Sequence, residues 1–342
     1  EIYTHVLSSA ASDVYKRQLT GLLRRYALAK CLMDVPNDRS SHTIPTPRGG
    51  GISIVITFLV GLIFLWVIHL LGNEALIALS GAGVMVSVIG FVDDHDHIAA
   101  RWRLLGHFSA ASWLVFWLGG LPILVLFGYS VDLGWAGHVL AIVALVWLLN
   151  LYNFMDGIDG IAGVEALSST LVAGLLFLFV FDNQDMAALN LLMFAAVIGF
   201  LVWNFPPAKI FMGDAGSGFL GLMLGGLVLY STHLELVMLW VWLILLGVFI
   251  VDATFTLLRR LLRGEKVYEA HRSHSYQNAS RRYGSHLSVT LSVLFINLFW
   301  LTPWSVAVAL GAVGGALGLM LAYAPLLWLA WYFHAGEIEQ LS

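Results

Sequence analysis

The sequence predicts an all-α fold, a polytopic bundle of about ten transmembrane helices. Hydrophobic residues make up 59% of the 342 residues and charged residues only 11%, whereas soluble domains contain about 45 to 50% and about 25%. Apolar stretches of about twenty residues, the length that crosses a bilayer, recur along most of the chain. The segments between them are too short to fold alone, so we expect one integral membrane domain over residues 19–342.

The first 18 residues do not fit this pattern. They are neither periodic nor apolar enough to span a membrane, and their run Ser-Ser-Ala-Ala-Ser-Asp-Val-Tyr-Lys-Arg-Gln resembles translated sequencing-adapter sequence. We therefore expect residues 1–18 to be a non-native leader. We also expect a native first helix to be lost or replaced, with residues 19–32 as the remnant of its end. A polar loop follows over residues 34–48, because its three prolines cannot continue a helix.

Ten predicted spans follow this loop, with breaks expected at Pro122 and Pro303. Their ranges are 49–71, 75–92, 104–127, 134–152, 161–181, 186–204, 215–231, 234–258, 287–302 and 304–333. Every Lys and Arg from Arg39 onward falls in the loops on one side of the bundle, which is therefore predicted to be cytoplasmic. A single cysteine, Cys31, excludes an intramolecular disulfide and a thiolate metal cluster.

A polar patch interrupts the apolar sequence near the middle of the chain. Asn153, Asp156 and Asp159 are three residues apart, and glycines at 157, 160 and 163 repeat at the same interval. On a helix these side chains would lie near one face, beside glycines that leave it open. Polar residues in membrane segments are usually functional. The alternative is a glycine-rich cap with two solvated carboxylates.

Two further acidic motifs fall on the same side of the predicted bundle. The second span ends in Asp93-Asp94-His95-Asp96-His97, where adjacent carboxylates repel unless cations lie close. This motif predicts a site for a divalent metal and phosphate, because hard oxygen ligands suit magnesium; a hydrated loop with counter-charges is the alternative. Asp214 lies in a glycine-rich turn before a helix, so it is expected either to cap that helix or to bind metal.

The longest loop on this side carries His271, Arg272 and His274, followed by Arg281 and Arg282. Imidazole and guanidinium groups at this spacing can hold a pyrophosphate, and a basic loop resting on anionic lipid headgroups is the alternative. Zinc binding by the two histidines is not favoured, because neither a thiolate nor a third histidine is in register.

Together these motifs resemble the polyprenyl-phosphate N-acetylhexosamine-1-phosphate transferase family, glycosyltransferase family 4. The matching segments, in the family's order, are Pro45-Thr-Pro-Arg-Gly-Gly, Asp93-Asp94, Asn153-x-x-Asp156-Gly-x-Asp159-Gly-x-Ala, Phe211-Met-Gly-Asp214-x-Gly-Ser and the histidine loop. That loop reads His-Arg-Ser-His-Ser-Tyr-Gln and lacks the consecutive histidines of the peptidoglycan and GlcNAc branches. It is similar instead to the O-antigen branch, whose donors are UDP-N-acetyl-fucosamine or UDP-N-acetyl-quinovosamine.

The resemblance implies that an oxygen of undecaprenyl phosphate attacks the sugar-proximal phosphorus of a UDP-N-acetyl-sugar, which releases UMP and forms a lipid-pyrophosphate-sugar. It places the enzyme in a bacterial inner membrane with its active site facing the cytoplasm. It implies Mg²⁺ or Mn²⁺ at Asp214 and Asp94, and catalytic roles for Asp93, Asp94, Asp156 and Asp159. The residues expected to bind substrate are Arg48, Asn153, Asn204, Lys209, His271, Arg272 and His274. The expected partners are the two substrates and membrane lipids, with a homodimer as one alternative and no nucleic acid.

Other functions remain open at this stage. A family member could use UDP-GlcNAc or UDP-MurNAc-pentapeptide instead. A secondary transporter would place its polar groups near the bilayer midplane on broken helices, whereas these acids collect at helix ends. A phosphotransferase acting on CDP-alcohols would need an Asp-Gly-x-x-Ala-Arg motif, which is absent after Asp156.

Overall fold

The computed structural model describes residues 20–21, 33–34, 45–96, 98–126, 129–265 and 271–337. Within these ranges it has seven helices that are long and apolar enough to cross a membrane, or up to eight spans if a bent pair of helices is counted as one. The prediction of an all-α polytopic membrane bundle is confirmed. The count of ten stays a prediction, because at most eight of the described spans pass this test. The predicted leader, residues 1–18, lies outside the described residues.

The described helices follow the predicted spans in order. They are α1 (Ile52–Val67), α2 (Asn73–His95), α3 (Ala100–Leu118), α4 (Gly134–Met155), α5 (Ile161–Phe179), α6 (Gln184–Asn204), α7 (Asp214–Leu234), α8 (Met238–Leu245), α9 (Gly247–Leu262), α10 (Ser275–Tyr283), α11 (His286–Ile296), α12 (Thr302–Ala309) and α13 (Gly315–Tyr332). A π-helical segment, Asn297–Leu301, joins α11 to α12.

Two short antiparallel hairpins accompany the helices. The strands β1 (Met33–Asp34) and β2 (Thr46–Pro47) pair with each other, as do β3 (Leu124–Leu126) and β4 (Tyr129–Val131). The second hairpin corrects the predicted span over 104–127, since α3 ends at Leu118. Gly119 follows with a φ of 89°, a left-handed conformation that ends a helix readily at glycine.

Two further predicted span boundaries differ from the structure. The range 234–258 is not one helix, because the chain bends by 71° between α8 and α9. The break expected at Pro303 lies instead over residues 310–314, where Gly311 has a φ of 71°. Pro303 sits in the first turn of α12, directly after the π-helical segment. Proline is tolerated there because first-turn N–H groups lack partners in their own helix.

Helix α7 lies at the centre of the bundle. Nearly all of its apolar window is buried, whereas only 22% of the window of α13 is buried. Close packing against α4 depends on glycine: a Cβ atom on Gly221 would lie 2.7 Å from the backbone oxygen of Leu148. The central helix begins with Asp214, so its buried position fixes where that acid lies.

Candidate active site

The backbone brings two of the predicted motifs together beside the start of α7. Segment 47–51 pairs with segment 211–212 through three backbone hydrogen bonds of 2.8, 2.9 and 2.9 Å. The approach requires glycine, because a Cβ atom on Gly51 would lie 2.4 Å from the Cα atom of Gly216. Arg48 is therefore held next to the turn that carries Asp214, although the two are 166 residues apart.

Asp94 holds the N-terminus of α7. Its Oδ1 accepts the N–H of Asp214 at 2.9 Å, and its Oδ2 accepts the N–H of Ala215 at 3.2 Å. The preceding Gly213 has a φ of 79°, and a Cβ atom there would lie 2.7 Å from Asp94 Oδ2. A carboxylate is stable at this position because the first N–H groups of a helix attract negative charge. Both Asp94 oxygens therefore have protein partners.

Asp214 lies between an arginine and an asparagine. Its Oδ1 accepts hydrogen bonds from Arg48 Nη2 at 2.6 Å and from Asn153 Nδ2 at 3.1 Å. Arg48 Nε also lies 3.0 Å from Asp94 Oδ1, and Asn153 Nδ2 donates to Ser217 Oγ at 3.1 Å. The N-cap position of α7 is taken by Gly213, and Asp214 Oδ1 is bonded to side chains from two other segments.

Asp93 points to a different cation from its neighbour Asp94. Its carboxylate accepts hydrogen bonds from Arg103 Nη1 at 2.6 Å and from the Ile98 N–H at 2.9 Å. The carboxyl group also lies next to that of Asp214. The cations expected beside the adjacent acids are thus Arg48 for Asp94 and Arg103 for Asp93.

Asp156 and Asp159 lie between two helices, in agreement with the predicted spans 134–152 and 161–181. Helix α4 ends at Met155, so the two acids lie in the turn before α5. Asp156 faces the acidic cluster. Burial raises the pKa of its carboxyl group well above the usual value, the charge of Arg48 opposes this, and nearby Asp214 and Asp94 raise it further.

Asp159 contacts a different part of the molecule. Its Oδ2 accepts the N–H of Ala208 at 3.0 Å, and its Oδ1 lies 3.2 Å from His286 Nδ1. Its backbone oxygen accepts a hydrogen bond of 2.8 Å from the Thr290 hydroxyl. These contacts hold the turn after α4 against the start of α11. A stabilising role fits them more directly than the catalytic role expected from the sequence.

Two expected substrate-binding residues also have partners away from the acidic cluster. Asn204 is 3% exposed; its Oδ1 accepts the Gly160 N–H at 3.0 Å and its Nδ2 donates to the Ile210 oxygen at 3.0 Å. It therefore connects two loops rather than facing solvent. Lys209 is exposed, and its ammonium group lies 5.8 Å from the centre of the Trp203 ring.

The histidine loop (residues 271–277) is anchored by an acid that the sequence reasoning missed. Asp252 of α9 accepts the N–H groups of Ser275 and Tyr276 at 2.9 and 3.0 Å, and it lies 3.3 Å from His274 Nδ1. His274 is only 1% exposed, which places it inside the protein instead of at a substrate surface. The available signal was that Asp252 is an acid inside an otherwise apolar stretch.

His271 and Arg272 occupy the more open part of this loop. The His271 ring lies 4.9 Å from that of His274, centre to centre. Burial lowers the pKa of His271 to about 3, and the neighbouring His274 and Arg260 lower it further. Both His271 and Arg272 line a cavity of about 620 Å³. The loop reaches the acidic cluster through the Tyr276 hydroxyl, which donates to the backbone oxygen of Phe154 at 2.9 Å.

The oxygen atoms around Asp214 suit a hard cation whose coordination is completed by a bound ligand. Among the described residues, no three His, Cys, Asp or Glu side chains are grouped closely enough to hold a metal by themselves. Magnesium is commonly held by one or two carboxylates together with substrate phosphates. The acids at 93, 94, 156 and 214, with Arg48 and Asn153, therefore form a cluster that can bind a phosphate-bearing ligand with a cation.

Comparison with known proteins agrees with this arrangement. Residues 76–232 match the family described as Glycosyl transferase family 4. A probable undecaprenyl-phosphate N-acetylglucosaminyl 1-phosphate transferase from Bacillus subtilis is 29% identical over 289 residues, which is 82% of this chain and 77% of the relative. A decaprenyl-phosphate N-acetylglucosaminephosphotransferase from Mycobacterium tuberculosis is 29% identical over 60% of this chain and 55% of its own length.

A phospho-N-acetylmuramoyl-pentapeptide-transferase from Streptococcus thermophilus is 27% identical over 56% of this chain and 60% of its own length. The match to the family covers α2 to α7 and so includes the acids at 93, 94, 156 and 214. Arg48 and the histidine loop lie outside that match, but they meet the same cluster in space. The chain is therefore similar to glycosyl transferase family 4 over residues 76–232, which is a little under half of its length.

Proposed function

We propose that this protein transfers a sugar-1-phosphate from a UDP-N-acetyl-sugar to undecaprenyl phosphate. A phosphate oxygen of the lipid forms a bond to the sugar-proximal phosphorus, and the bond from that phosphorus to the oxygen of UMP breaks. UMP leaves with the bonding electrons, and the product is a lipid-pyrophosphate-sugar. The bond between the sugar and its phosphate oxygen stays intact, so the sugar keeps its anomeric configuration.

One observation supports this function most directly: three distant motifs meet at Asp214. Arg48 and Asn153 both donate to Asp214 Oδ1, and Asp94 holds the helix start from which Asp214 extends. Phosphoryl transfer depends mainly on placement of the reactants and on neutralisation of charge. The relatives named above are sugar-phosphate transferases that use polyprenyl phosphates by their names, in agreement with such chemistry.

Each residue of the acidic cluster has its own role in the proposed reaction. Asp214 would hold Mg²⁺, or Mn²⁺ in its place, and Asp94 fixes the start of α7 from which Asp214 extends while contributing negative charge. When bound, the ion would neutralise phosphate charge. Arg48 adds a second positive charge beside the reacting phosphates. Asn153 orients Asp214, and Asp156 lies near enough to contact the ion or the nucleotide.

The proposal does not use Asp93 as a general base. The second pKa of a phosphate monoester is about 6, so the lipid phosphate is already largely ionised at neutral pH. Proton removal by a carboxylate would therefore gain little. In the proposal Asp93 instead positions the acceptor through Arg103, with which it shares a hydrogen bond of 2.6 Å.

The proposed donor is a UDP-N-acetyl-sugar of the kind used to start O-antigen or a related cell-envelope glycan. The support is the histidine-loop sequence His-Arg-Ser-His-Ser-Tyr-Gln, together with the cavity lined by His271 and Arg272.

The multi-pass helices place the protein in a membrane. The proposed location is a bacterial inner membrane with the acidic cluster facing the cytoplasm, because Lys and Arg residues collect at that end.

The test is a transfer assay with purified protein, undecaprenyl phosphate, Mg²⁺ and a panel of radiolabelled UDP-N-acetyl-sugars. Formation of a lipid-linked sugar together with UMP supports the proposal, and the donor that reacts identifies the sugar. Absence of product with every donor would overturn it. Uptake of UDP-sugar into vesicles without turnover would support the transporter alternative instead.

The Asp214→Asn variant tests the residue assignment in the same assay. It keeps the size of the side chain but removes its charge, so it should insert and purify normally while losing Mg-dependent UMP release. Asp185→Asn is a matched control, because Asp185 lies at the opposite end of the bundle, in the first turn of α6. Near-normal UMP release by Asp214→Asn would remove the metal assignment.

A further inference from the structure

We infer that the segment after the last helix, residues 333–337 (the C-terminal segment), positions the histidine loop and thereby controls the use of the UDP-sugar. This inference rests on the proposed function. The segment lies about 100 residues beyond the part of the chain that matches the family. Its position in the fold, beside the loop, is what points to the role.

Direct hydrogen bonds connect the C-terminal segment to the histidine loop and to α10. The Gly336 N–H donates to the backbone oxygen of Ser273 at 2.6 Å. Asn278 of α10 donates through Nδ2 to the backbone oxygens of Phe333 and His334, at 2.7 and 3.2 Å. The segment therefore holds the loop at Ser273 and also holds the short helix that follows it.

The other side of the C-terminal segment is fixed to the end of α9. Arg259 donates through Nη1 to the Ala335 oxygen at 3.2 Å and through Nη2 to Glu337 at 2.5 Å. Arg263 donates to the Gly336 oxygen. Gly336 has a φ of 74°, and a Cβ atom on it would lie 2.8 Å from the backbone oxygen of Thr256. The segment thus fits between α9 and the loop in one specific conformation.

The same segment forms one wall of the cavity that His271 and Arg272 line. That cavity, of about 620 Å³, is also lined by Phe333, His334 and Glu337. Arginine side chains along it give it a positive character that suits the phosphates of a nucleotide sugar. The C-terminal segment would therefore shape the space for the UDP-sugar without contacting the reacting phosphorus.

Two substitutions weaken the attachment from opposite sides. Asn278→Ala removes the donor to Phe333 and His334, and Arg259→Gln removes the charge that pairs with Glu337. Each loses one or two hydrogen bonds, so we expect the KM for the UDP-sugar to rise about five- to tenfold. The KM for undecaprenyl phosphate and the melting temperature should stay close to those of the wild type.

Matched controls are Asn73→Ala and Arg101→Gln. Asn73 is exposed at the start of α2, far along that helix from Asp94, and Arg101 stacks on Trp102 at the start of α3. Both controls should keep the KM of the wild type for either substrate. Because both test variants act through one segment, the double variant should raise the donor KM by less than the product of the two single effects.

The outcomes separate the two proposals. If the wild-type protein forms no lipid-linked product with any donor, the proposed function fails. If the wild type is active and Asn278→Ala and Arg259→Gln keep its donor KM, the inference about the C-terminal segment is overturned. It is also overturned if both variants lower kcat and melting temperature together with an unchanged ratio of the two KM values, since that result indicates general destabilisation.

Discussion

Arg48 joins two acids that belong to different helices. Its Nη2 lies 2.6 Å from Asp214 Oδ1, and its Nε lies 3.0 Å from Asp94 Oδ1. Asp94 is near the end of α2 and Asp214 is the first residue of α7. Two carboxylates this close repel each other, and a planar guanidinium can bind both at once. Arg48 therefore determines how far apart the two acids lie.

We expect Arg48→Lys to lower kcat/KM by about 10- to 100-fold, which corresponds to about 1.4 to 2.8 kcal/mol of transition-state stabilisation. Lysine keeps the charge, but its single ammonium group cannot reproduce the two-sided geometry of arginine. The measurement is the initial rate of UMP release at several concentrations of each substrate. Arg101→Lys is the control, and equal rates for both variants and the wild type would contradict the role of Arg48.

Asp159→Asn should lower the stability of the protein, with a smaller effect on the rate of the chemical step. Its carboxylate accepts the Ala208 N–H and pairs with His286, so removal of the charge weakens two contacts at once. We expect a loss of about 1 to 2 kcal/mol in the free energy of unfolding. Thermal unfolding in detergent should show a lower melting temperature for Asp159→Asn than for Asp214→Asn. The reverse order would contradict the stabilising role of Asp159.

Local sequence signals predicted the helices and the cluster because hydrophobicity and motif chemistry are local properties. Tertiary contacts explain where the predictions failed. The predicted spans leave Asp159 between two helices, as the structure does, but its contact with His286 of α11 joins residues that are far apart in the sequence. The bend at Leu246 could not be predicted from a proline, because the sequence has none there.

The same reasoning explains the residues that were assigned to substrate. Asn204 and His274 carry polar groups suited to a ligand, but their partners are backbone groups and Asp252, which only the folded chain brings near. Arg48 and Asp214 were predictable as members of one site because each belongs to a specific motif. Their direct contact was not, since 166 residues separate them.

The pH dependence of stability should include a contribution from His271. Burial lowers the pKa of this imidazole to about 3, whereas an unfolded histidine has a pKa of about 6.5. As the pH falls below about 6.5, the unfolded state binds a proton that the folded state excludes, so stability is lost between about pH 6.5 and pH 3. The neutral form contributes its full effect above that window.

We therefore expect acidification from about pH 7.5 to about pH 5.5 to lower the melting temperature of the wild type more than that of His271→Gln. Glutamine stays neutral across this range, so the difference between the two proteins isolates the His271 contribution from that of other histidines. Melting curves in the same detergent at both pH values provide the measurement. An equal decrease in both proteins would show that His271 does not titrate in this way.

A buried acid inside the bundle gives the last prediction. Glu165 of α5 is 0% exposed, and its Oε2 accepts a hydrogen bond of 2.6 Å from Asn297 Nδ2, which also donates to Ser168 Oγ at 2.8 Å. Asn297 begins the π-helical segment. Phe249, in the first turn of α9, lies near the same carboxyl group. Glu165 thus lies where the π-helical segment and the bend between α8 and α9 meet.

Glu165→Ala should lower the free energy of unfolding by about 1 to 3 kcal/mol, because it leaves the Asn297 amide buried with one fewer acceptor. Glu165→Gln should cost less, since its amide oxygen can accept the same hydrogen bond without a buried charge. Thr170→Val is the matched control, because the Thr170 hydroxyl is buried in α5 but bonds only to its own helix. Thermal unfolding should rank Glu165→Ala as the least stable of the three. A charge requirement at Glu165 would instead make Glu165→Gln as unstable as Glu165→Ala.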